Sequence, residues 1–164
     1  MSVAFRGELA FCSNFFDSPF DDEFGRVWPT VEHWFQAMKT NDSIQQELIR
    51  MCATPQMAKT LGRQVSLRYD WDDQKIEVMN EGLWCKFDQN PMLKHKLLGT
   101  GDLPLVEKNR WHDNLWGDCT CGRLYCGPRG QNKLGLNLMK WRDYFNRQEA
   151  RCRAENECLR QSRM

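Results

Sequence analysis

Apolar residues recur at spacings of three and four through most of the chain, which is the period of an amphipathic α-helix. Thr30 precedes the run VEHWFQAMK and predicts an N-cap there. Ser43 opens a capping box for a second helix. Thr54 before Pro55 places a cap and a first-turn proline ahead of a third helix, which is expected to end near Gly62.

Three further helices follow along the chain. Asp72 is the expected cap of a long helix through Phe87. Asn90 before Pro91 repeats the cap-and-proline signature for a shorter helix. The last helix is expected from near Asn132, and its apolar residues predict a buried stripe of Leu134, Leu138, Trp141 and Phe145.

Strand signals are few and short, and they lie at Val3 to Phe5, at Val27-Trp28 and at Leu105-Val106. The sequence therefore predicts a mainly α fold with at most a few short strands. The length fits one domain, which we place at residues 1–145. Residues 146–164 contain few apolar side chains and are expected to form a polar C-terminal helical extension or tail.

The composition is that of a globular protein, because hydrophobic residues make up 41% of the chain and aromatic residues 12%. A net charge of +1 means that contact with nucleic acid would need a local basic patch. The N-terminus has no basic segment followed by an apolar run, and no stretch approaches the roughly 20 apolar residues of a membrane span. We expect a cytoplasmic protein with reduced cysteines and no membrane partner.

The run VEHWFQAMK carries the first candidate chemistry. On a helix, Glu32, Gln36 and Lys39 form a polar seam beside an apolar stripe. Glu32 and Lys39 lie about 10 Å apart along the axis, too far for an ordinary helical ion pair. Two interpretations stay open: the two charges bracket a sugar-sized ligand, or the seam is a solvated polar strip.

Several segments together resemble the YbiA-like, or NADAR, superfamily, in the correct order and over nearly the whole chain up to Arg142. They are SNFF (13–16), WPTVEHWFQAMK (28–39), TPQMAKTLGR (54–63), WDDQKIEVM (71–79), KFDQNPMLKHKLLGTGDLPLVE (86–107), DNLWGD (113–118) and NKLGLNLMKWR (132–142). The resemblance implies a single YbiA-like, mainly α domain. It also implies N-glycosidase activity, on phosphorylated riboflavin-pathway intermediates or on ADP-ribosylated guanine.

The resemblance also implies site residues. Glu32 takes the family's acidic position, Lys39 closes its signature helix and Asp113 precedes the WGD turn. Taken singly, Asp113 is more typical of a turn cap, and aromatic residues such as Trp71 are more typical of a core. The expected substrate-binding residues are Asn14, Phe15, Trp71, Trp116, Gly117, Asp118 and Asn132.

Cleavage of a ribose N-glycosidic bond needs a group that stabilises positive charge on the sugar and a proton donor for the departing base. Glu32 and Asp113 are the candidate pair, in either order. Lys39 has two possible roles: it clamps a phosphate, or its neutral amine attacks the anomeric carbon and holds the ring-opened sugar as a Schiff base. No cofactor is required for either route.

The chain departs from the family pattern by inserting CTCGRLYCGPRGQ after Asp118. Cys119, Cys121 and Cys126 would suit a structural zinc ion, with His112 or Cys12 as the fourth ligand. The alternative is a cluster of thiols without metal. The same insertion contains Arg123 and Arg129. These arginines either contact a substrate phosphate or face solvent.

Three functional hypotheses follow. The first is an N-glycosyl hydrolase acting on a ribosyl phosphate or an ADP-ribose conjugate, including ADP-ribosylated nucleic acid. The second is a binding module for ADP-ribose or NAD without turnover. The third is a zinc-stabilised nucleic-acid-binding domain, against which the near-neutral charge argues. Retention of Glu32, Lys39 and Asp113 together favours the enzyme.

Overall fold

The computed structural model describes residues 5–161 and confirms the mainly α prediction. A 3-10 helix spans Gly7–Cys12 and is followed by six α-helices. They are α1 (Val31–Ala37), α2 (Ser43–Arg50), α3 (Pro55–Leu61), α4 (Trp71–Gln89), α5 (Pro91–Gly99) and α6 (Lys133–Gln161). A second, single-turn 3-10 helix spans Leu124–Cys126.

The strands are four two-residue segments. β1 (Phe20–Asp21) pairs antiparallel with β2 (Val27–Trp28), and β2 is the strand that was predicted at Val27-Trp28. β3 (Lys108–Asn109) pairs parallel with β4 (Asp118–Cys119). The strand expected at Leu105-Val106 is wrong, because only Leu105 makes an isolated bridge there and β3 begins three residues later, at Lys108. The strand expected at Val3 to Phe5 begins outside the described residues, and Phe5 lies in a bend.

Side-chain caps begin α1, α2 and α3. The cap expected at Asn90 is wrong, because its side chain donates to the carbonyls of Pro19 and Lys86, although α5 begins at Pro91 as predicted. The hydroxyl groups of Thr30 and Thr54 accept hydrogen bonds from the third residue of α1 and of α3, as predicted. The cap expected at Ser43 is wrong, because the carboxylate of the preceding Asp42 accepts from the backbone of α2 instead. The cap expected at Asp72 is also wrong: α4 begins at Trp71, so Asp72 lies in its first turn and pairs with Lys75 at 2.7 Å.

Helix α1 lies at the centre of the fold, where it packs against α2, α3 and α4. All seven of its residues are buried. The indole nitrogen of Trp34 donates to the carbonyl of Val78 at 3.0 Å and so fixes the crossing of α1 with α4. Gly82 permits this crossing, because a Cβ there would lie 2.6 Å from Cδ1 of Trp34. The same close packing therefore sets where the side chains of α1 point.

Helix α6 packs against α4 and α5 through Leu134, Leu138 and Phe145, which are buried as predicted. Trp141 is only partly buried and donates to the carbonyl of Asn80. The helix continues without a break past residue 146, and residues 149–161 are exposed on every side. Within residues 5–161, no helix combines the length and apolar character that a membrane crossing requires.

Candidate active site

A cavity of about 660 Å³ lies beside α1. Its walls come from residues 13–15, from α1 with Lys39, from α3 with Arg63, and from the loop between α5 and α6. A cavity of this size suits a small-molecule ligand. Its charged lining residues are Arg6, Glu32, Lys39, Lys59, Arg63, Glu107, Lys108 and Asp113.

Glu32 lies in the first turn of α1 and is 5% exposed. The side-chain amide of Gln36 donates to its carboxylate at 2.8 Å. Burial raises the pKa of Glu32, while Lys59, the bond from Gln36, Lys39 and Arg63 oppose that shift. Because Glu32 and Gln36 are both buried, the interpretation of this seam as a solvated strip is wrong.

Lys39 also faces the cavity, although the helix is shorter than predicted. Helix α1 ends at Ala37, so Lys39 lies in the turn that follows, with its ammonium 5.7 Å from the ring centre of Phe35. Burial lowers the pKa of Lys39, and the nearby charges of Lys59 and Arg63 lower it further, whereas Glu32 acts in the opposite direction. A lysine with a lowered pKa supplies more of the neutral amine that a nucleophile requires.

Asp113 lines the cavity, but its carboxylate also accepts hydrogen bonds from the backbone of the following turn. Oδ1 accepts hydrogen bonds from the backbone N–H of Leu115 at 3.1 Å and of Trp116 at 2.9 Å. This is the turn-capping role that an isolated aspartate commonly has. One carboxylate oxygen of Asp113 is therefore engaged by the backbone of the turn that brings Trp116 to the cavity.

Glu107 is a second acid of the cavity, partly buried, and sequence reasoning missed it. Burial raises the pKa of Glu107 to about 7, and the negative charges of Asp113 and Glu32 add to the shift, while Lys59 opposes it. Its carboxyl group is therefore half protonated near neutral pH. The sequence signals were its place directly after the apolar run LPLV and at the end of the segment 86–107 that carries the family resemblance.

The backbone at Glu107 is held by residues that were expected to bind substrate. Its N–H donates to the side-chain oxygen of Asn132 at 3.0 Å, and its carbonyl accepts from the N–H of Asp118 at 2.8 Å. Gly117 packs directly against that carbonyl, where a Cβ would collide. The structure places Gly117, Asp118 and Asn132 behind the cavity wall, where they fix Glu107.

The aromatic candidates divide in the same way. Phe15 and Trp116 line the cavity. Trp71 is 8% exposed and lies in the core, with its ring centre 5.1 Å from that of Phe35. The ring centre of Phe35 in turn lies 5.3 Å from that of Trp116. Trp71 thus supports the aromatic wall from behind and does not face the cavity.

Two buried acceptor atoms of the cavity lining have no hydrogen-bond partner among the described residues. They are Oδ1 of Asn14 and Oε1 of Gln36. A buried unpaired carbonyl oxygen is costly, so it favours a ligand that donates to it. Oε1 of Gln36 packs against Gly62, so of the two oxygens only Oδ1 of Asn14 is a candidate for a ligand hydroxyl.

Lys86 holds the segment that carries Asn14. Its side chain is fully buried, and its ammonium donates to the carbonyl of Ser13 at 2.8 Å. Burial lowers the pKa of Lys86 to about 7. The N–H of Glu32 donates to the carbonyl of Asn14 at 3.0 Å, so the segment is tied to α4 and to α1.

Outside the cavity, three cysteines of the inserted loop and His112, which precedes it, form a group that could bind a metal. His112, Cys119, Cys121 and Cys126 place their ligand atoms within 4.8 Å of one another. Cys12 instead lies in the hydrophobic core, so His112 is the fourth member of this cluster. The other two candidates of the loop, Arg123 and Arg129, are exposed and do not line the cavity.

Comparison with known proteins identifies relatives over most of the chain. The NADAR domain family matches residues 5–146. The N-glycosidase YbiA of Escherichia coli (strain K12) is 40% identical over 121 residues, which cover 73% of this chain and 71% of that protein. The riboflavin biosynthesis protein VVA0006 of Vibrio vulnificus is 38% identical over 121 residues, which cover 73% of this chain and 31% of that protein.

A solved structure has a similar fold. The NMR structure of the E. coli protein YbiA matches with a TM-score of 0.78 and 34% sequence identity. The match covers 92% of this chain and 89% of that chain. Sequence and structure therefore point to the same family.

Proposed function

The chain belongs to the NADAR domain family, and on that premise we propose that it is an N-glycosidase that hydrolyses the bond between a phosphorylated ribose and a base or amine. The observation that carries the proposal is the joint placement of Glu32, Lys39 and Glu107 around one cavity. Burial shifts the pKa of each toward neutrality, and for Glu107 the negative charges of Asp113 and Glu32 add to that shift. Groups with such shifts are typical of acid, base and nucleophile positions.

The cavity also fits the ligand. The unpaired oxygen of Asn14 offers an acceptor for a sugar hydroxyl, and Phe15 and Trp116 offer flat faces for a base. Lys59 and Arg63, both in the cavity lining, supply positive charge for a phosphate. The substrate class is therefore a ribosyl phosphate or an ADP-ribose conjugate, with ADP-ribosylated guanine in nucleic acid as one member.

The chemistry divides among three side chains. The neutral amine of Lys39 attacks C1 of the ribose as the C1–N bond breaks, and protonated Glu107 gives its proton to the departing nitrogen. Glu32 accepts the proton that the new C–N bond releases, and ring opening leaves an imine on Lys39. Water then hydrolyses the imine, which frees the sugar and the neutral amine of Lys39. Transfer of the proton from Glu32 to Glu107 through solvent restores both acids to their starting states.

A binding module without turnover is the alternative, and Lys39 argues against it. A phosphate clamp works best with a permanently charged amine, so burial among other cations would weaken it. The same surroundings strengthen a nucleophile. The lowered pKa of Lys39 thus favours catalysis over simple retention of a ligand.

The test is a substrate panel. The purified protein is incubated with ADP-ribosylated guanine DNA, NAD, ADP-ribose conjugates and phosphorylated riboflavin-pathway amines, and released sugars and bases are identified by mass spectrometry. We expect release from at least one ribosyl phosphate or ADP-ribose conjugate, and a fall of about 10²-fold or more in Glu32→Gln.

The matched control is Glu47→Gln, which makes the same change in an exposed ion pair of α2. That variant should keep wild-type turnover. Binding of a panel member without any bond cleavage would instead support the binding module, and near-normal turnover of Glu32→Gln would exclude the proposed role of Glu32.

A further inference from the structure

A second site, separate from the cavity, lies between β3 and α6, where the inserted loop meets His112. We infer that His112, Cys119, Cys121 and Cys126 bind one zinc ion with a structural role. The ligand atoms are Nδ1 of the histidine and the three Sγ atoms. This inference rests on the loop alone and does not depend on the reaction proposed above.

The spacing of the four atoms fits a tetrahedral ion. Nδ1 of His112 lies 3.1 Å from Sγ of Cys126, 3.4 Å from Sγ of Cys121 and 3.9 Å from Sγ of Cys119. The sulfur atoms of Cys121 and Cys126 are 3.5 Å apart. Zn–S and Zn–N bonds of about 2.3 and 2.0 Å in a tetrahedron place neighbouring ligand atoms roughly 3.5–3.8 Å apart.

The donor types select the metal and its role. Thiolates with one imidazole suit zinc, whereas magnesium and calcium prefer oxygen ligands. Four protein ligands fill a tetrahedral shell and leave no position for water or substrate, which is typical of structural zinc. A disulfide would use only two of the cysteines, and it would leave the remaining thiol and His112 without a shared function.

The surroundings of the ligands are arranged as in metal sites. Nε2 of His112 lies 3.1 Å from the hydroxyl oxygen of Tyr125, so with Nδ1 on the metal the Nε2–H donates to that oxygen. The backbone N–H of Arg123 donates to Sγ of Cys121 at 3.4 Å and offsets the charge of a thiolate. His112 adopts a φ of 69°, a conformation that costs energy for a side chain of this kind unless its surroundings hold it.

The ion would stabilise one wall of the cavity. Trp111 and Asp113 line the cavity and lie on either side of His112 in the chain. The side chain of Asn114 accepts from the N–H of Cys119 and donates to the carbonyl of Cys126. These bonds join the cysteine loop to the turn at Asp113, so order in one implies order in the other.

Metal content tests the inference directly. The wild-type protein, purified without chelator, should contain about one zinc ion per chain by elemental mass spectrometry, and chelation should lower its melting temperature. Cys121→Ser should lose the zinc and melt at the lower temperature. Cys152→Ser is the matched control, because Cys152 is exposed on α6 and far along the chain from the loop.

Cobalt supplies a readout on the wild-type chain that needs no variant. Protein freed of metal and titrated with Co²⁺ should develop thiolate-to-cobalt charge transfer and the intense visible bands of a tetrahedral site, with saturation at about one ion per chain. The inference is overturned if the protein takes up neither zinc nor cobalt, or if Cys121 and Cys126 form a disulfide in protein purified under reducing conditions.

Discussion

Glu107→Gln should make the protein more stable and less active at the same time. The amide keeps the shape of the side chain but cannot ionise, so it removes both the proton that the departing nitrogen needs and the cost of a buried charge. Burial and neighbouring acids raise the pKa of Glu107 from its ordinary 4.5 to about 7. The stability effect follows from that difference.

The sign and size can be worked out from proton linkage. Between pH 4.5 and about 7 the native protein binds more protons at Glu107 than the unfolded chain does, so its contribution to stability is complete below pH 4.5 and is lost as the pH rises through 7. A pKa difference of this size corresponds to about 3 kcal/mol, which contact with water in the cavity reduces to ~2 kcal/mol.

The assay compares urea unfolding of wild type and Glu107→Gln at pH 4.5 and pH 8.5. The two proteins should have similar free energies of unfolding at the lower pH, and the variant should be more stable by ~2 kcal/mol at the higher pH. Titrating groups far from Glu107 are shared, so they cancel in the difference. Turnover of the variant should fall about 10²-fold or more.

The control is Glu81→Gln, which changes an acid of α4 outside the cavity. It should leave turnover unchanged. The reasoning is refuted if Glu107→Gln is no more stable than the wild type at pH 8.5, because Glu107 would then carry no destabilising charge. It is also refuted if the variant retains wild-type turnover, because Glu107 would then not be the proton donor.

Two further predictions concern α1 and its surroundings. Borohydride added during turnover should reduce the imine and leave a sugar adduct on Lys39, whereas Lys39→Arg should abolish both adduct and turnover, since guanidinium stays protonated; an active Lys39→Arg enzyme without adduct would make Lys39 a phosphate clamp. Gly82→Ala should destabilise the protein by ~1–3 kcal/mol in urea unfolding although alanine favours helices, because its Cβ would overlap Trp34. Gly99→Ala, where a Cβ meets nothing within 4 Å, should not destabilise it, and a gain in stability for Gly82→Ala would contradict the packing argument.

The helices could be predicted largely from local sequence, because their caps and prolines act within a few residues. Thr30, Thr54 and Pro91 each begin a helix where expected. The failed caps at Ser43, Asp72 and Asn90 show the limit of this reasoning. Asp42 and Ser43 are adjacent and both can cap, so only the backbone path decides between them.

The site was less predictable, because its properties arise from contacts between distant segments. Periodicity and family resemblance brought out Glu32 and Lys39, which the structure places in one cavity. The raised pKa of Glu107 depends on burial and on acids from other parts of the chain, neither of which a single sequence displays. Similarly, a motif marks Gly117 and Asn132 without saying whether they contact a ligand or support the residue that does.

Helix α1 has no face that points to solvent, and this has a consequence for mutational scanning of the protein. Almost every substitution between Val31 and Ala37 will reduce function, so an activity screen alone would score the helix as uniformly intolerant. The causes differ, because changes at Val31 or Trp34 lower the amount of folded protein, whereas Glu32→Gln leaves it intact. A screen that measures cellular abundance beside activity would separate the two groups, and the residues that lose activity at normal abundance would mark the catalytic side of the helix.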